Sequence, residues 1–197
     1  VCKEPAAPSH THGADCFETI LVDADPVCSE NHEHTYICYQ QICMIQEHQH
    51  SAQCYSDPDA DVETRQFWES TMKNVELTED WNANVVAIAE SQLGYTESTR
   101  NYTVWEDESR HGYTRYGAWY GVPHGDWCAM FASFCLEYAG VEGMPYNYGV
   151  RPWIEQLTKL DLYRTAEEYV PIPGDLVFFD WDEQDNLSDH VGIVYEV

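Results

Sequence analysis

Residues 125–140 read GDWCAMFASFCLEYAG, and this stretch decides the fold. The run is almost wholly apolar from Ala129 onward, which predicts a helix buried in a core. Asp126 is a residue type that commonly caps a helix N-terminus, and Gly140 supplies the left-handed conformation that often ends a helix. The sequence therefore predicts a capped core helix with Cys128 in its first turn.

Cys128 is predicted to be a nucleophile because of its place in that helix. The N–H groups and aligned peptide dipoles at a helix N-terminus stabilise a thiolate, so its pKa should fall below the usual value of about 8.5. Cys135 lies about 10.5 Å further along the helix, beyond the roughly 7 Å that a disulfide spans. We expect Cys135 to be an inert core residue.

A cysteine hydrolase also needs a general base, and only His111, His124 and His190 lie outside the repeats near the N-terminus. Residues 173–179 and 189–195 predict two antiparallel core strands, with His190 near the start of the second. A histidine held there against the cysteine helix supplies the second group of a Cys-His site. His124, two residues before the predicted cap, is the rival base, but a loop holds an imidazole less firmly than a strand does.

Four motifs carry a resemblance to a known family. They are WCAMF at 127–131, AG at 139–140, PGDLVFF at 173–179 and DHVGIV at 189–194. In this order they resemble the CHAP family of cysteine, histidine-dependent amidohydrolases and peptidases, over the part of the chain from Val85 to its end. The resemblance implies a papain-like α+β fold and cleavage of amide bonds in bacterial peptidoglycan, with Cys128 as nucleophile and His190 as general base.

The family orients its histidine with a Glu, Asp or Asn on the next strand, and the sequence stops at Val197 before such a strand. Glu196 shares a face with His190 but lies about 20 Å along the strand, and Asp189 points to the opposite face. We therefore expect the orienting residue beyond Val197 and a catalytic domain truncated at its C-terminus. The alternative is a non-catalytic cell-surface binding or adhesion module on the same fold.

Residues upstream of the cysteine are predicted to back its helix and to line a groove. A helix from about Glu79 to Leu93 has one apolar stripe, and residues 151–163 predict another helix. Four aromatic residues precede Cys128: Tyr113, Tyr116, Trp119 and Tyr120. Packing in the core or at a rim is the better interpretation of each one singly, but as a group they could line a groove and stack on sugars or bond peptide groups. By likeness to papain-like folds, Tyr116 is the candidate for helping the backbone polarise the scissile carbonyl.

The N-terminal region repeats the pattern His-x-His-x3-Cys, each time after a further cysteine. The units are Cys2, His10, His12 and Cys16; Cys28, His32, His34 and Cys38; and Cys43, His48, His50 and Cys54. Two imidazoles on one side of an extended segment and two flanking cysteines make the ligand set of a structural tetrahedral zinc site. Local disulfides between the two cysteines of each unit are the alternative, which leaves the histidines without a role. We expect zinc, in a region with little regular structure.

The chain is predicted to have three parts. The repeats occupy residues 1–56, an acidic, proline-containing linker and a helix occupy 57–78, and the CHAP-like domain occupies 79–197. The turn before the last strand holds aspartates spaced like calcium ligands: Asp180, Asp182 and Asp185. An ordinary solvated turn fits them better, because the glycine and closing glutamate of a calcium loop are absent.

The chain is strongly acidic, with 9 Lys+Arg against 35 Asp+Glu and a net charge of −26. Such a surface repels nucleic acid and anionic membranes, because phosphate binding depends on clustered cations. The sequence has no apolar run near the length of a membrane span, so no membrane insertion is expected. Together with the resemblance, these features predict a protein outside the cell or on the surface of a Gram-positive bacterium, with peptidoglycan or a cell-wall peptide as its partner.

Metal content distinguishes the zinc and disulfide interpretations of the repeats. The purified chain should hold about three zinc ions and lose the structure of the repeats to a strong chelator, because metal binding supplies their folding free energy. The His34→Ala variant should hold one zinc ion fewer when metal is measured by elemental analysis. A chain without metal, whose repeat cysteines are all oxidised by mass spectrometry, would establish the disulfides instead.

Overall fold

The computed structural model describes the backbone of two N-terminal strands, and residues 52–181 and 188–197. In chain order its elements are β1 (Phe17–Leu21), β2 (Tyr39–Cys43), a 3-10 turn (Ala52–Tyr55), α1 (Arg65–Thr71), α2 (Trp81–Glu90), β3 (Tyr102–Val104), β4 (Arg110–Gly112), α3 (Arg115–Tyr120), α4 (Cys128–Tyr138), α5 (Val150–Lys159), β5 (Leu176–Phe179) and β6 (His190–Ile193). The proposed zinc ligands lie outside the residues whose side chains are described, and so do Asp182 and Asp185.

Helices and short antiparallel strands are mixed along the chain, which is compatible with the predicted α+β class. Within the described ranges the strands form two-stranded sheets that pair β1 with β2, β3 with β4 and β5 with β6. The chain divides into two compact units, one of Val1–Ala60 with Arg100–Arg110 and one of Asp61–Thr99 with His111–Val197. The predicted division at residues 56 and 79 stays a prediction.

In the first unit, residues 52–60 are tied to the start of β3. Ser56 Oγ donates to the carbonyl of Tyr102 at 2.6 Å and accepts from its N–H at 2.9 Å. The Tyr102 hydroxyl donates to the Ala52 carbonyl at 2.8 Å. The Asn101 amide donates to two further carbonyls of that segment, at 3.0 and 3.1 Å. Because these bonds involve buried side chains, residues 52–60, where the predicted repeats meet the predicted linker, are part of a folded unit.

In the second unit, α4 is the core helix that its sequence predicts. Met130, Phe134 and Cys135 have no exposed surface, and the helix packs against α2, α3 and β6. Gly140 follows the helix with φ of +73°, and its N–H donates to the Glu137 carbonyl while the next N–H donates to that of Leu136. This pair of bonds satisfies carbonyls that the helix leaves open at its C-terminus. The predicted role of Gly140 is confirmed.

The antiparallel hairpin of β5 and β6 closes one side of this core. Phe178 pairs with Val191 and Leu176 with Ile193, and these four residues face the core cluster. The other face carries Phe179 opposite His190. The predicted antiparallel pairing is confirmed.

Two predicted helices are shorter than their apolar patterns suggested. The second helix ends at Glu90, so Leu93 lies outside it and is 83% exposed. The helix predicted over 151–163 ends at Lys159, and Leu160 is 51% exposed rather than on a buried face. In both cases the apolar residues continue in the sequence beyond the end of the helix, where no neighbouring element in the described ranges buries them. No helix in the described part of the chain is long and apolar enough to cross a membrane.

Gly174 joins the hairpin to the N-terminus of α2. Its φ is +92°, and a Cβ there would lie 2.6 Å from the Cα and the carbonyl oxygen of Asn82. The Asn82 amide in turn donates to the Pro173 carbonyl at 3.0 Å. Glycine is therefore required at this position by both its backbone conformation and the close approach of α2.

The Gly174→Ala variant should be destabilised more than Gly143→Ala. Gly143 has a similar φ of +76°, but a Cβ there would meet nothing within 4 Å. The free energy of unfolding of the Gly143→Ala control should fall by about 1–2 kcal/mol, the cost of the left-handed conformation for alanine. For Gly174→Ala it should fall by about 1–3 kcal/mol more, because α2 must move. Urea unfolding of both variants measures the difference, and equal losses would contradict the close contact with Asn82.

Candidate active site

Cys128 is the first residue of α4 and lies at the junction of this helix with β6. Its sulfur accepts hydrogen bonds from the backbone N–H groups of Val191 and Ala129. Val191 directly follows His190 in β6, so the sulfur lies beside the peptide that joins these two residues. Cys128 is a free, half-buried thiol, whereas the free thiol of Cys135 is fully buried.

The pKa of Cys128 is raised from its ordinary value, so the predicted depression is wrong for the free protein. Burial is the main cause, and the negative charge of Asp126 adds to it. The N–H groups of Val191 and Ala129 act in the opposite direction but do not outweigh burial. At Cys135 burial raises the thiol pKa with no opposing donor, so Cys128 remains the more favourable site for a thiolate.

Asp126 does not cap α4, which corrects a second prediction. The capping position is Trp127, whose side chain makes no capping hydrogen bond. The Asp126 carboxylate is 75% exposed and instead lies 3.4 Å from His111 Nδ1. The helix begins one residue later than the preference for aspartate at caps suggests, so this carboxylate acts on Cys128 as a nearby negative charge.

His190 is the first residue of β6, and its ring lies among aromatic side chains. The centroid of its ring is 5.1 Å from that of Trp181 and 6.1 Å from that of Phe179. The carboxylate of neighbouring Asp189 accepts from the Trp181 backbone N–H at 3.2 Å and pairs with Arg151 at 3.3 Å. Val191, the residue after His190, therefore contacts Cys128, while Asp189, the residue before it, contacts Trp181 and Arg151.

Tyr116 lies in the core, where only 1% of its surface is exposed. Its ring stacks on Trp127 with centroids 5.4 Å apart, and its hydroxyl donates to Gln92 Oε1 at 3.4 Å. Burial raises its pKa. This position argues against the predicted oxyanion role, because Tyr116 has almost no surface through which it could contact a substrate. Tyr113, another of the residues predicted to line a groove, is also buried.

The rival base His124 lies before α4. The centroids of its ring and the Tyr113 ring are 6.3 Å apart, and the two rings meet edge to face. Burial lowers its pKa, which favours a neutral imidazole, while the charge of Glu97 acts in the opposite direction. Its neutral form is suited to accept a proton. However, the sulfur of Cys128 contacts the strand of His190, and this connection favours His190 as the base.

Sequence reasoning missed Glu97, which lies 30 residues before Trp127. Its Oε2 accepts from Trp127 Nε1 at 3.0 Å, and its Oε1 accepts from the Gly112 N–H. No local pattern around Glu97 indicates this contact, because it depends on how the chain returns to the start of α4. No group of three potential metal-binding side chains occurs in the described part of the chain.

Comparison with known proteins finds a match for part of the chain. Residues 118–197 match the family model of the CHAP domain. The match includes α4, with Cys128, and the whole β5–β6 hairpin, with His190. CHAP domains form a family of peptidoglycan amidases and peptidases, and they are usually hydrolases. No curated protein and no solved structure matches the chain.

An iodoacetamide-type alkylator should label Cys128 much faster than Cys135 near neutral pH. Cys128 is partly exposed and receives N–H donors, whereas Cys135 is enclosed and has no donor that favours its thiolate. Peptide mapping of the labelled full chain measures both rates. Equal or reversed labelling would remove the reason for choosing Cys128 as the nucleophile.

The Asp126→Asn variant should shift the alkylation profile of Cys128 to lower pH. The Asp126 charge raises the pKa of this thiol, so its removal lowers that pKa and increases the thiolate fraction at neutral pH. Glu155→Gln, an exposed change on α5, is the control and should leave the profile in place. A shift of the Asp126→Asn profile to higher pH would show that the carboxylate supports the thiolate.

Proposed function

We propose that this chain is a cysteine amidohydrolase or peptidase that cleaves amide bonds in bacterial peptidoglycan. Cys128 is the nucleophile and His190 the general base. The observation that carries the proposal is the position of the Cys128 sulfur at the start of α4, bonded by the N–H that follows His190. The CHAP match, which covers both residues, supports the same assignment.

In the proposed reaction His190 accepts the proton of the Cys128 thiol, and the sulfur attacks the carbonyl carbon of the amide. The oxygen of the tetrahedral intermediate accepts hydrogen bonds from N–H groups at the start of α4. Collapse of the intermediate forms a thioester and releases the amine, which takes its proton from His190. Water, deprotonated by His190, then attacks the thioester and releases the carboxylic acid and the thiol.

The raised pKa of Cys128 explains why a base is needed. A thiol that stays protonated in the free protein cannot attack unless a neighbouring group removes its proton as the bond forms. The imidazole of His190 is the group that we assign to this role, because histidine is the side chain that most often acts as a general base. The aromatic rings of Trp181 and Phe179 beside His190 restrict its orientation.

The second candidate is a non-catalytic module that binds the cell surface. The same raised pKa favours it, because a protonated thiol is a weak nucleophile. For both candidate functions we propose that the protein is located outside the cell or at its surface, where peptidoglycan is found. We also propose that the N-terminal repeats bind structural zinc.

Incubation with purified cell wall separates the two functions. The parent, as the full-length protein, should release new amines, and Cys128→Ala should reduce that release to background while still sedimenting with the wall, because only the nucleophile is lost. His190→Gln should also lose most of the activity. Cys135→Ala, which removes the buried thiol of the same helix, is the matched control and should stay active.

Two outcomes would contradict the enzymatic function. If Cys128→Ala releases amines as fast as the parent, another residue performs the chemistry. If the folded parent binds the wall but releases nothing above background, the binding module is the better description of this chain.

A further inference from the structure

We propose that Glu97 is a positioning residue, which sets the place of the Cys128 nucleophile through Trp127. This inference rests on the proposed function, and it concerns a residue outside the part of the chain that matches the CHAP family model. Glu97 does not act on the substrate. Its carboxylate holds the residue that precedes the nucleophile.

Both oxygens of the Glu97 carboxylate are engaged. Oε2 accepts from the indole N–H of Trp127 at 3.0 Å, and Oε1 accepts from the backbone N–H of Gly112. A carboxylate bonded at both oxygens has one orientation, and charge-assisted hydrogen bonds are stronger than neutral ones. Glu97 is therefore suited to fix the indole relative to β4.

The segment that carries Glu97 is itself fixed against β4. The N–H of Ser98 donates to the carbonyl of Tyr113 at 3.0 Å. A Cβ on Gly112 would lie 2.1 Å from the Ser98 carbonyl oxygen and 2.6 Å from Glu97 Cγ. Glycine at 112 thus permits a backbone approach that no other residue allows, and this approach brings the carboxylate to the start of α4.

Trp127 transmits this position to the nucleophile. It is the capping residue of α4, with no capping bond from its own side chain, and its carbonyl accepts the Phe131 N–H at 2.7 Å as the first bond of the helix. Its ring is stacked on buried Tyr116. The bond to Glu97 fixes the remaining rotation of the ring. Because Cys128 is the next residue, a change in Trp127 moves the sulfur relative to the N–H of Val191.

Positioning at this scale affects rate more than substrate binding. Misplacement of a reacting group by about 1 Å costs up to about 100-fold in rate. The Glu97 carboxylate has no part in the proposed bond changes, so its loss should lower kcat and leave KM nearly unchanged.

The test is a set of four full-length proteins: the parent, Glu97→Gln, Trp127→Phe and the double variant. Glutamine keeps the size of the side chain, but its NH2 group cannot accept a hydrogen bond. Phenylalanine keeps the stacked ring and removes the indole N–H. With solubilised peptidoglycan fragments as the probe, each single variant should lose about tenfold or more in kcat, with KM within about twofold of the parent. The double variant should be no slower than the slower single one, since both changes disturb the same contact between Glu97 and Trp127.

Alkylation of Cys128 gives a second measurement that does not depend on hydrolysis. Loss of a negative charge near the thiol would by itself lower its pKa and speed alkylation. Loss of position moves the sulfur away from its N–H donors, so Glu97→Gln should be alkylated about threefold more slowly, or slower still. Glu155→Gln removes a distant carboxylate and should match the parent in both assays.

The inference is overturned if Glu97→Gln keeps kcat within twofold of the parent, if its alkylation is unchanged or faster, or if the two single losses multiply in the double variant. Should Glu97→Gln fail to fold, Trp127→Phe decides the matter: a parent-like kcat overturns the inference, and a tenfold loss supports it. A parent chain that releases no amine contradicts the proposed function alone, and the alkylation rates then decide the role of Glu97.

Discussion

The hydrogen bond from the Val191 N–H to the Cys128 sulfur connects the two elements on which the site depends. Helix α4 supplies the thiol at its N-terminus, and β6 supplies the histidine at its first residue. Neither element alone makes a reactive site. Their contact depends in turn on the core face of the β5–β6 hairpin, where Phe178 and Val191 pair and pack into the core cluster that includes α4.

Burial and hydrogen bonding have opposite effects on the nucleophile. Removal from water disfavours the thiolate, while the N–H groups of Ala129 and Val191 favour it, and burial has the larger effect. On the proposed mechanism, the thiol therefore stays protonated until His190 removes its proton. Such an arrangement limits reaction with solutes in the medium, because the thiolate rather than the thiol is the nucleophile. The rate of the proposed reaction then depends more on the positions of Trp127 and His190 than on the intrinsic acidity of Cys128.

The sequence predicted features that arise from local patterns. The apolar run of α4, the left-handed glycine at 140 and the antiparallel pairing of the β5–β6 hairpin depend on neighbouring residues and were found in the structure. Features set by tertiary contacts were missed or wrong. Asp126 is a residue type that often caps helices, yet the helix starts at Cys128. Tyr116 has a polar hydroxyl, yet its ring is packed in the core. Glu97 reaches Trp127 only because Gly112 lets two backbone segments approach each other. The proposed zinc ligands lie outside the residues whose side chains are described.

The central claim is that the Cys128 sulfur forms a covalent bond to the acyl part of the substrate. Acid quenching of the full chain during turnover of solubilised peptidoglycan fragments, followed by peptide mapping, tests it most directly. If Cys128 is the nucleophile, the peptide that contains it carries an acyl adduct. Hydroxylamine removes this adduct, because thioesters react readily with hydroxylamine. Product formation with no adduct at Cys128, or an adduct at a different residue, would show that Cys128 is not the nucleophile.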